Sequence, residues 1–322
     1  MENPEVTVVI PVYNTAATLA RCIDSVLAQS YDAMEVVIVD DGSPDGVGLI
    51  CDRYAANDDR VRVIHQANAG LAEARRAGLR AARGRYVVHV DSDDTLPPDA
   101  VATLYRLVTQ GDLDMAYGCH RRVAGDTSSV VNHSVTGILS GEEFLRLVMR
   151  HDNRCASWGS ISRREMWSYD IFPPREPRLP SEDILMLIRQ SHHLRRVGVF
   201  NEVVYNYYYN PASLSIAGPL CRQDLWVQFF DLVRADLRER GLLNALEPQV
   251  RAMEVERLAF QTAHLDTTDA WYRQVIRYLS AGFDRRTRVL QRLLRWPWLL
   301  RRCIAANRRL KRLLGYNIGN RP

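Results

Sequence analysis

Over the first hundred residues, short and wholly apolar segments alternate with segments whose apolar residues recur at helical spacing. The apolar segments predict four β-strands, at 6–12, 34–39, 61–64 and 86–90. The segments between them predict helices at about 18–29, 48–56 and 69–82. Strands that are apolar on both faces and separated by amphipathic helices favour a parallel sheet covered on both sides.

The rest of the chain has a weaker pattern, which becomes helix-rich after about residue 217. Up to that point it predicts a strand near 115–118, a polar excursion at 125–134, and helices near 141–149 and 182–190. Beyond it, amphipathic helices are predicted at about 225–240 and 247–264.

These elements predict an α/β fold with a mostly parallel central sheet flanked by helices. We expect this sheet to form one domain over residues 1–217. A helical C-terminal region is expected over residues 218–322. With 322 residues, of which 47% are hydrophobic, the chain can bury a large core.

The C-terminal region ends in a basic segment, although the formal net charge of the chain is only +4. Residues 285–312 contain eleven basic residues and no acid, and Trp296 and Trp298 lie among them. A cationic segment with aromatic residues can lie in a membrane interface, where anionic lipids attract it. The alternative is a terminal helix packed on the domain with a solvated basic face. We predict a peripheral membrane contact, and no motif indicates nucleic-acid binding.

Cysteine spacing and the N-terminus bear on where the protein acts. The six cysteines are widely spaced and form no C-x-x-C pair, which favours a reducing compartment. The N-terminus lacks a basic segment followed by a long apolar run, and no stretch reaches about 18 apolar residues. We therefore expect a cytoplasmic protein, with the inner face of the plasma membrane as the site of any tail contact.

Two acidic turns follow predicted strands. The first reads Asp40-Asp41-Gly42-Ser43-Pro44, and the second reads Asp91-Ser92-Asp93-Asp94. Ligands of open parallel sheets bind beyond the carboxyl ends of the strands. We therefore expect the two turns to lie at the same edge of the sheet.

The acidic residue types indicate the chemistry of each turn. Like charges as close as those of Asp91 and Asp93 are costly unless a cation joins them. A hard divalent ion, manganese or magnesium, suits such ligands and takes its remaining ligands from substrate phosphates and water. The alternative is a solvated turn that caps the following helix. In the first turn an aspartate can bond a base or ribose, with Tyr13 stacked on the base, although helix capping and core packing explain these residues too.

Four segments, in this order and spacing, resemble the family 2 glycosyltransferases. The resemblance is dense over residues 5–100 and thinner to about residue 217. The segments are Val8-Val9-Ile10-Pro11-Val12-Tyr13-Asn14, Val39-Asp40-Asp41-Gly42-Ser43-Pro44-Asp45, Asn68-Ala69-Gly70-Leu71-Ala72-Glu73-Ala74-Arg75 and Asp91-Ser92-Asp93-Asp94.

The resemblance implies a type A glycosyltransferase fold, an inverting reaction and a set of site residues. Asp93 would hold the metal with Asp91 nearby, and Asp41 would bond the ring nitrogen of the base. One departure is Arg76, where the family often has asparagine. The residues implied for the donor nucleotide are Pro11, Tyr13, Asn14, Asp40, Asp41, Arg75 and Ser92.

Inversion by direct displacement requires a base on the acceptor hydroxyl, and Glu182-Asp183 resembles the acidic pair that supplies it in the family. We predict Asp183 as the base; the alternative is an acidic pair at a helix N-terminus. Trp158 and Glu182 are candidates for the sugar or acceptor pocket, although Trp158 is also explained by core packing. The aromatic strand at 205–209 and the loop at 210–215 also resemble the family.

The sequence therefore predicts an inverting transfer from a nucleotide-sugar donor, a UDP-sugar by the family's habit, to a hydroxyl of a glycan or polyprenyl-diphosphate-linked acceptor. A Q-x-x-R-W motif of processive synthases is matched only with one residue too many, at Gln291–Trp296, so we expect a non-processive enzyme. A sugar nucleotidyltransferase is an alternative, but it usually has a Gly-rich basic loop where this chain has Tyr13-Asn14-Thr15-Ala16. A non-catalytic nucleotide-sugar-binding partner is the other alternative.

Overall fold

The computed structural model describes residues 4–149, 156–210 and 223–262, with side chains up to residue 254 apart from those at positions 169 and 223. The basic segment 285–312 and the loop residues 211–215 lie outside the described residues. The chain divides into two compact units, Met1–Asn210 and Pro211–Pro322.

The first unit contains nine strands and six α-helices within the described residues. The strands are β1 (Val6–Val12), β2 (Met34–Asp40), β3 (Val61–His65), β4 (Tyr86–His89), β5 (Met115–Ala124), β6 (Thr127–Val131), β7 (Gly137–Leu139), β8 (Ser160–Arg163) and β9 (Val197–Tyr208). The helices are α1 (Ala16–Leu27), α2 (Val47–Asn57), α3 (Leu71–Ala81), α4 (Ala100–Gln110), α5 (Gly141–Met149) and α6 (Glu182–Gln190). The α/β class predicted from the sequence is confirmed.

The strands form one mixed sheet in the order β3-β2-β1-β4-β8-β5-β9-β7, with β6 paired to β5. Strands β3, β2, β1 and β4 are mutually parallel, and β5 is parallel to β9. Strand β8 runs antiparallel to both β4 and β5, and the pairs β5–β6 and β7–β9 are also antiparallel. The sheet is therefore mixed rather than all parallel: the strands up to β4 are parallel, as the sequence predicted, and the antiparallel pairs lie beyond β4.

The local sequence explains this difference. The segment predicted as a polar excursion folds back as β6, because Gly125, with φ of 57°, allows a tight turn after β5. Strand β6 is largely exposed, so its polar residues carry no apolar signal. Strand β8 has only four residues and is also too short for a periodic signal.

The two faces of the sheet are covered by different helices. Apolar residues of α1, α2 and α4 pack with one face of the parallel strands in one core cluster. Helices α3 and α6 cover the other face, where Val9 and Val87 contact Leu79 and Met186 within one cluster. Gly78 lets α3 approach closely, because a Cβ there would lie 2.4 Å from Val9 Cγ1.

The second unit contains α7 (Gln223–Glu239) and α8 (Leu243–Thr262) within the described residues. Helix α8 begins one turn earlier than the sequence predicted and accommodates Pro248. Arg234 joins the two helices by ion pairs to Glu247 (3.3 Å) and to the buried Glu254. In the part of the chain that the structure describes, no helix has both the length and the apolar character needed to cross a bilayer.

We expect Gly78→Ala to destabilise the protein. Overpacking costs about 1–3 kcal/mol, whereas the better helix propensity of alanine restores about 1 kcal/mol at most. The free energy of unfolding from urea denaturation would measure the net loss. Ala56→Gln, at an exposed position of α2, should change that free energy by less than about 0.5 kcal/mol, because both residues are good helix formers. A Gly78→Ala protein as stable as the original would show that α3 does not depend on this close approach.

Candidate active site

The carboxyl ends of β1, β2 and β4 bring both acidic turns to one edge of the sheet. Val12 pairs with Asp40 at the end of β2, and the backbone N–H of Asp41 donates to the carbonyl of Val12 at 2.9 Å. Beyond β4, the N–H of Val90 donates to the carbonyl of Val9 at 3.0 Å. Asp91 therefore begins the second turn beside β1.

The end of β1 presents an aromatic ring at this edge. Pro11 is buried within β1, whereas Tyr13 is 44% exposed. Asn14 follows in the left-handed region, with φ of 56°, and its N–H donates to Ser43 Oγ at 3.2 Å. The chain therefore turns sharply toward the first acidic turn and leaves the Tyr13 ring available for a planar ligand.

Asp41 fixes the loop that precedes α3. It is 2% exposed, and its carboxylate accepts from the N–H groups of Ala69 and Gly70, both at 2.8 Å, and from Gln66 Nε2 at 2.7 Å. The next residue, Gly42, has φ of 67°, and a Cβ there would lie 2.8 Å from Asn68 N. The first acidic turn and the loop at 66–70 are therefore closely joined.

Asp40 stabilises the same turn from below. Its Oδ1 accepts from the N–H of Ser43 at 3.1 Å, and its Oδ2 lies 3.0 Å from His65 Nδ1. Hydrogen bonds from Ser43 and His65 outweigh burial and lower the pKa of Asp40. His65 Nε2 lies 2.9 Å from Asp52, and hydrogen bonds to Asp52 and Asp40 raise the pKa of His65. His65 therefore links two carboxylates below the turn.

The backbone of the second acidic turn is held by side chains at the start of α1. The contacts are Thr18 Oγ1 to the carbonyl of Ser92 (3.1 Å), Cys22 Sγ to that of Asp91 (3.5 Å), Arg21 Nη2 to that of Asp93 (2.7 Å) and Thr15 Oγ1 to Ser92 Oγ (3.0 Å). These bonds direct the turn toward α1 but leave the side chains of Asp91 and Asp93 to other partners.

Strand β9 holds the fourth acid of the turn. Asp94 is 1% exposed, and it accepts from the Tyr205 hydroxyl at 2.8 Å and from the N–H of Tyr208 at 2.7 Å. Burial, followed by the charges of Asp93 and Asp91, raises the pKa of Asp94 well above its ordinary value. Both oxygens of Asp94 thus bond β9, so this residue is structural within the turn.

Asp91 and Asp93 together form an electrostatically strained pair. Burial and the neighbouring charge of Asp91 raise the pKa of Asp93 to about 6. Within residues 4–149, 156–210 and 223–262, no group of three His, Cys, Asp or Glu side chains lies close enough to hold a metal ion by itself. The pair nevertheless fits a hard divalent ion that takes its other ligands from phosphate and water, because such ions use only one or two carboxylates.

Arg75 joins α3 to the acidic turn from inside the protein. It is 1% exposed, and its Nη2 donates to Asp91 Oδ1 at 2.8 Å. Its Nε and Nη1 are buried and have no hydrogen-bond partner among the described residues. Burial disfavours its charge, but Asp91, Asp183 and Glu182 outweigh this effect and raise the pKa of Arg75. The start of α6 therefore lies within the electrostatic reach of the acidic turn.

The predicted catalytic pair occupies the first turn of α6. Ser181 precedes it in the left-handed conformation, with φ of 52°, and both Glu182 and Asp183 are half-buried. Burial and the charge of Asp183 raise the pKa of Glu182 to about 7, although Arg75 and Arg178 oppose the shift. The pKa of Glu182 thus lies near neutral pH, and its neighbour is Asp183.

Trp158 lies beside the acidic turn through an aromatic stack. Its ring is half-buried and stacks on Tyr205 with a centroid distance of 4.5 Å and on Tyr207 at 5.7 Å. His120 packs edge-on against Trp158 at 5.0 Å. Because the Tyr205 hydroxyl bonds the turn, this stack reaches the same edge of the sheet as Asp91.

Sequence reasoning did not assign Thr15, Arg21, Tyr208 or Arg178 to the site. Arg21 bonds Asp93, which is 72 positions away in sequence, and its guanidinium lies 3.7 Å from the centroid of Tyr208. Arg178 donates to Asn68 Oδ1, which is 110 positions away. Contacts between residues so far apart in sequence leave no local pattern, so the apolar periodicity of the chain could not predict them.

Comparisons with known proteins identify the family to which the chain belongs. The model of the family described as Glycosyl transferase family 2 matches residues 7–168, and the chain belongs to this family. EpsJ of Bacillus subtilis, an uncharacterized glycosyltransferase, is 34% identical over 218 residues, which are 66% of this chain and 63% of EpsJ. The chain covers less than two thirds of the length of the curated relatives that it matches.

Two solved structures share the fold. Residues 1–349 of S. aureus TarS, in complex with UDP-GlcNAc, match with a TM-score of 0.69 and 19% identity, over 92% of this chain and 88% of that one. The mannosyltransferase PcManGT from Pyrobaculum calidifontis, in complex with GDP-Man and Mn²⁺, matches with a TM-score of 0.53 and 18% identity, over 93% and 86%. The predicted type A glycosyltransferase fold is thereby confirmed.

His65 should make stability depend on pH. The pKa of His65 is raised in the folded protein. Its contribution to the stability of the fold is therefore fully present below its ordinary pKa of about 6.5, and that contribution is lost as pH rises through the raised pKa. We expect the difference in melting temperature between the original protein and His65→Gln to be larger at about pH 6 than at about pH 9. An equal difference at both values would contradict an ionised His65 between Asp40 and Asp52.

Proposed function

We propose that this protein is an inverting glycosyltransferase. It transfers a sugar from a nucleoside-diphosphate donor, a UDP-sugar, to a hydroxyl group of a glycan or of a polyprenyl-diphosphate-linked acceptor. The transfer is metal-assisted and non-processive. Membership of the glycosyltransferase family 2 supports this proposal, and the site residues give it a mechanism.

The observation that carries the proposal is the environment of Arg75. This buried guanidinium bonds Asp91 directly, while Asp183 and Glu182 raise its pKa through their charges. One side chain therefore connects the acidic turn to the helix that bears the predicted base. The acidic turn and Asp183 must face the same substrate if the diphosphate leaves from one side of a sugar and the acceptor attacks from the other.

The donor nucleotide is assigned to the first acidic turn. The exposed Tyr13 stacks on the base, and Asp41 bonds the base while it holds the loop at 66–70. Pro11, Asn14, Asp40 and Ser92 shape the same edge. A uracil donor is supported by the TarS complex, which contains UDP-GlcNAc on the same fold.

The divalent ion, manganese or magnesium, is assigned to Asp93 with Asp91 nearby. The raised pKa of Asp93 supports this assignment, because a cation would relieve the repulsion between the two carboxylates. The complex of PcManGT with GDP-Man and Mn²⁺ gives further support. When bound, the ion supplies charge stabilisation for the departing diphosphate. Arg75 contributes a fixed positive charge on the same side.

Asp183 acts as the general base. Its carboxylate accepts the proton of the acceptor hydroxyl, and that oxygen forms a bond to the anomeric carbon. The bond between this carbon and the diphosphate oxygen breaks with inversion, and the nucleoside diphosphate leaves with the electron pair. Glu182 and Trp158 are assigned to the sugar or acceptor pocket, where the aromatic ring can cover the apolar face of a sugar.

Location and acceptor are proposed together. The absence of a spanning helix from the described residues is compatible with a protein that acts at a membrane surface. The basic segment 285–312 would attach it to anionic lipid at the inner face of the plasma membrane, where polyprenyl-linked acceptors are exposed.

Asp183→Asn should retain donor binding and lose turnover. Removal of a general base lowers the rate by about 100-fold or more. Release of UDP from UDP-GlcNAc and UDP-glucose in the presence of Mn²⁺ would be measured, and calorimetry would measure binding of the same donors. Asp59→Asn, an exposed aspartate before β3, is the matched control and should leave both unchanged. Full turnover by Asp183→Asn would remove Asp183 from the role of base.

Asp93→Asn should weaken metal-dependent binding of UDP. Loss of a ligand carboxylate is expected to lower the affinity for UDP in Mn²⁺ by at least about tenfold. Titrations in Mn²⁺ and in EDTA separate this effect from contacts to the base, because affinity in EDTA should be little changed. Equal losses in both conditions would show that Asp93 acts on folding rather than on the ion.

A further inference from the structure

Tyr205 connects β9 to both ends of the second acidic turn. It is fully buried, and its hydroxyl accepts from the backbone N–H of Asp91 at 3.1 Å and donates to Asp94 Oδ2 at 2.8 Å. One hydroxyl group therefore joins the first and the fourth residues of the turn. The mechanism proposed above does not use this group.

Neighbouring residues of β9 extend the same attachment. The N–H of Tyr208 donates to the other oxygen of Asp94 at 2.7 Å. Asn206 and Thr95 exchange backbone hydrogen bonds at 2.9 and 3.2 Å. The turn thus lies along β9 on one side and is bonded by α1 on the other. Among the described residues, the side chains of Asp91 and Asp93 bond neither β9 nor α1.

The ring of Tyr205 is positioned independently of its hydroxyl. It stacks on Trp158 with an interplanar angle of 15°. It also belongs to the core cluster that α1, α2 and α4 form with the parallel strands. Removing only the hydroxyl would therefore leave the ring and its packing in place, so the effect of the two hydrogen bonds can be measured alone.

We propose that Tyr205 is a positioning residue for the metal and diphosphate site. Its hydroxyl sets the direction in which the Asp91 and Asp93 carboxylates leave the turn. Groups that bond and orient metal ligands commonly change metal affinity by about 10- to 100-fold when they are removed. This inference rests on the proposed function, because it assigns the second acidic turn to a divalent ion.

Tyr205→Phe and Tyr117→Phe form a matched pair. Tyr117 is also buried, at 1% exposed, and its hydroxyl donates at 3.0 Å to the carbonyl of Ala156, a residue outside the acidic turn. Each variant loses one buried hydroxyl and keeps its ring, so both should fold with a modest decrease in melting temperature. Mn²⁺ binding in the presence of UDP would be followed by electron paramagnetic resonance of the free ion.

We expect the dissociation constant of Mn²⁺ to rise about tenfold or more in Tyr205→Phe and to stay within about twofold in Tyr117→Phe. UDP affinity in EDTA should be alike in both variants and in the original protein. Equal Mn²⁺ affinities in the two variants would overturn the positioning role of Tyr205 and leave the proposed function unaffected. No Mn²⁺ binding by the original protein with UDP would overturn the metal-assisted function, and this inference with it.

Discussion

The buried charge of Arg75 is the constraint on which the arrangement of the site depends. A guanidinium that is removed from water is strongly unfavourable unless opposite charges lie close to it. Asp91 supplies a direct bond, and Asp183 and Glu182 supply further negative potential from the start of α6. Helix α3, the acidic turn and α6 must therefore meet around this one group. An arrangement that separated them would leave Arg75 or the carboxylates without compensation.

A second constraint is the rigidity of the acidic turn. The turn has no regular secondary structure, yet the carbonyls of Asp91, Ser92 and Asp93 all accept hydrogen bonds from α1 side chains. Preorganised charges stabilise a developing charge without reorganisation at the moment of reaction, and this requires a fixed backbone. The turn meets that requirement through distant parts of the chain, so its geometry is a property of the whole first unit.

The sequence predicted the elements whose signals are local, and it failed where contacts are distant. The strand ends at Asp40 and Asp91 could be placed at one edge because parallel order follows from strand-helix alternation. The antiparallel insertion of β8 could not be predicted, because four residues carry no period. The attachment of Tyr205 to Asp91 spans 114 positions, and only the folded chain shows it. Asp41 was assigned to the base from a family resemblance, and the sequence did not show that its carboxylate also bonds the loop at 66–70.

That position of Asp41 links the two halves of the site. Its bonds to Ala69 and Gly70 fix the residues just before α3. One turn into α3, the side chain of Arg75 extends from the helix to Asp91. A displacement of the first acidic turn would therefore move α3 and alter the buried ion pair at the second. Gly78 limits how far α3 can shift, because it lies directly on Val9 of β1. The first and the second acidic turns are thus held by one helix, and neither can be rearranged without changing the environment of the buried arginine.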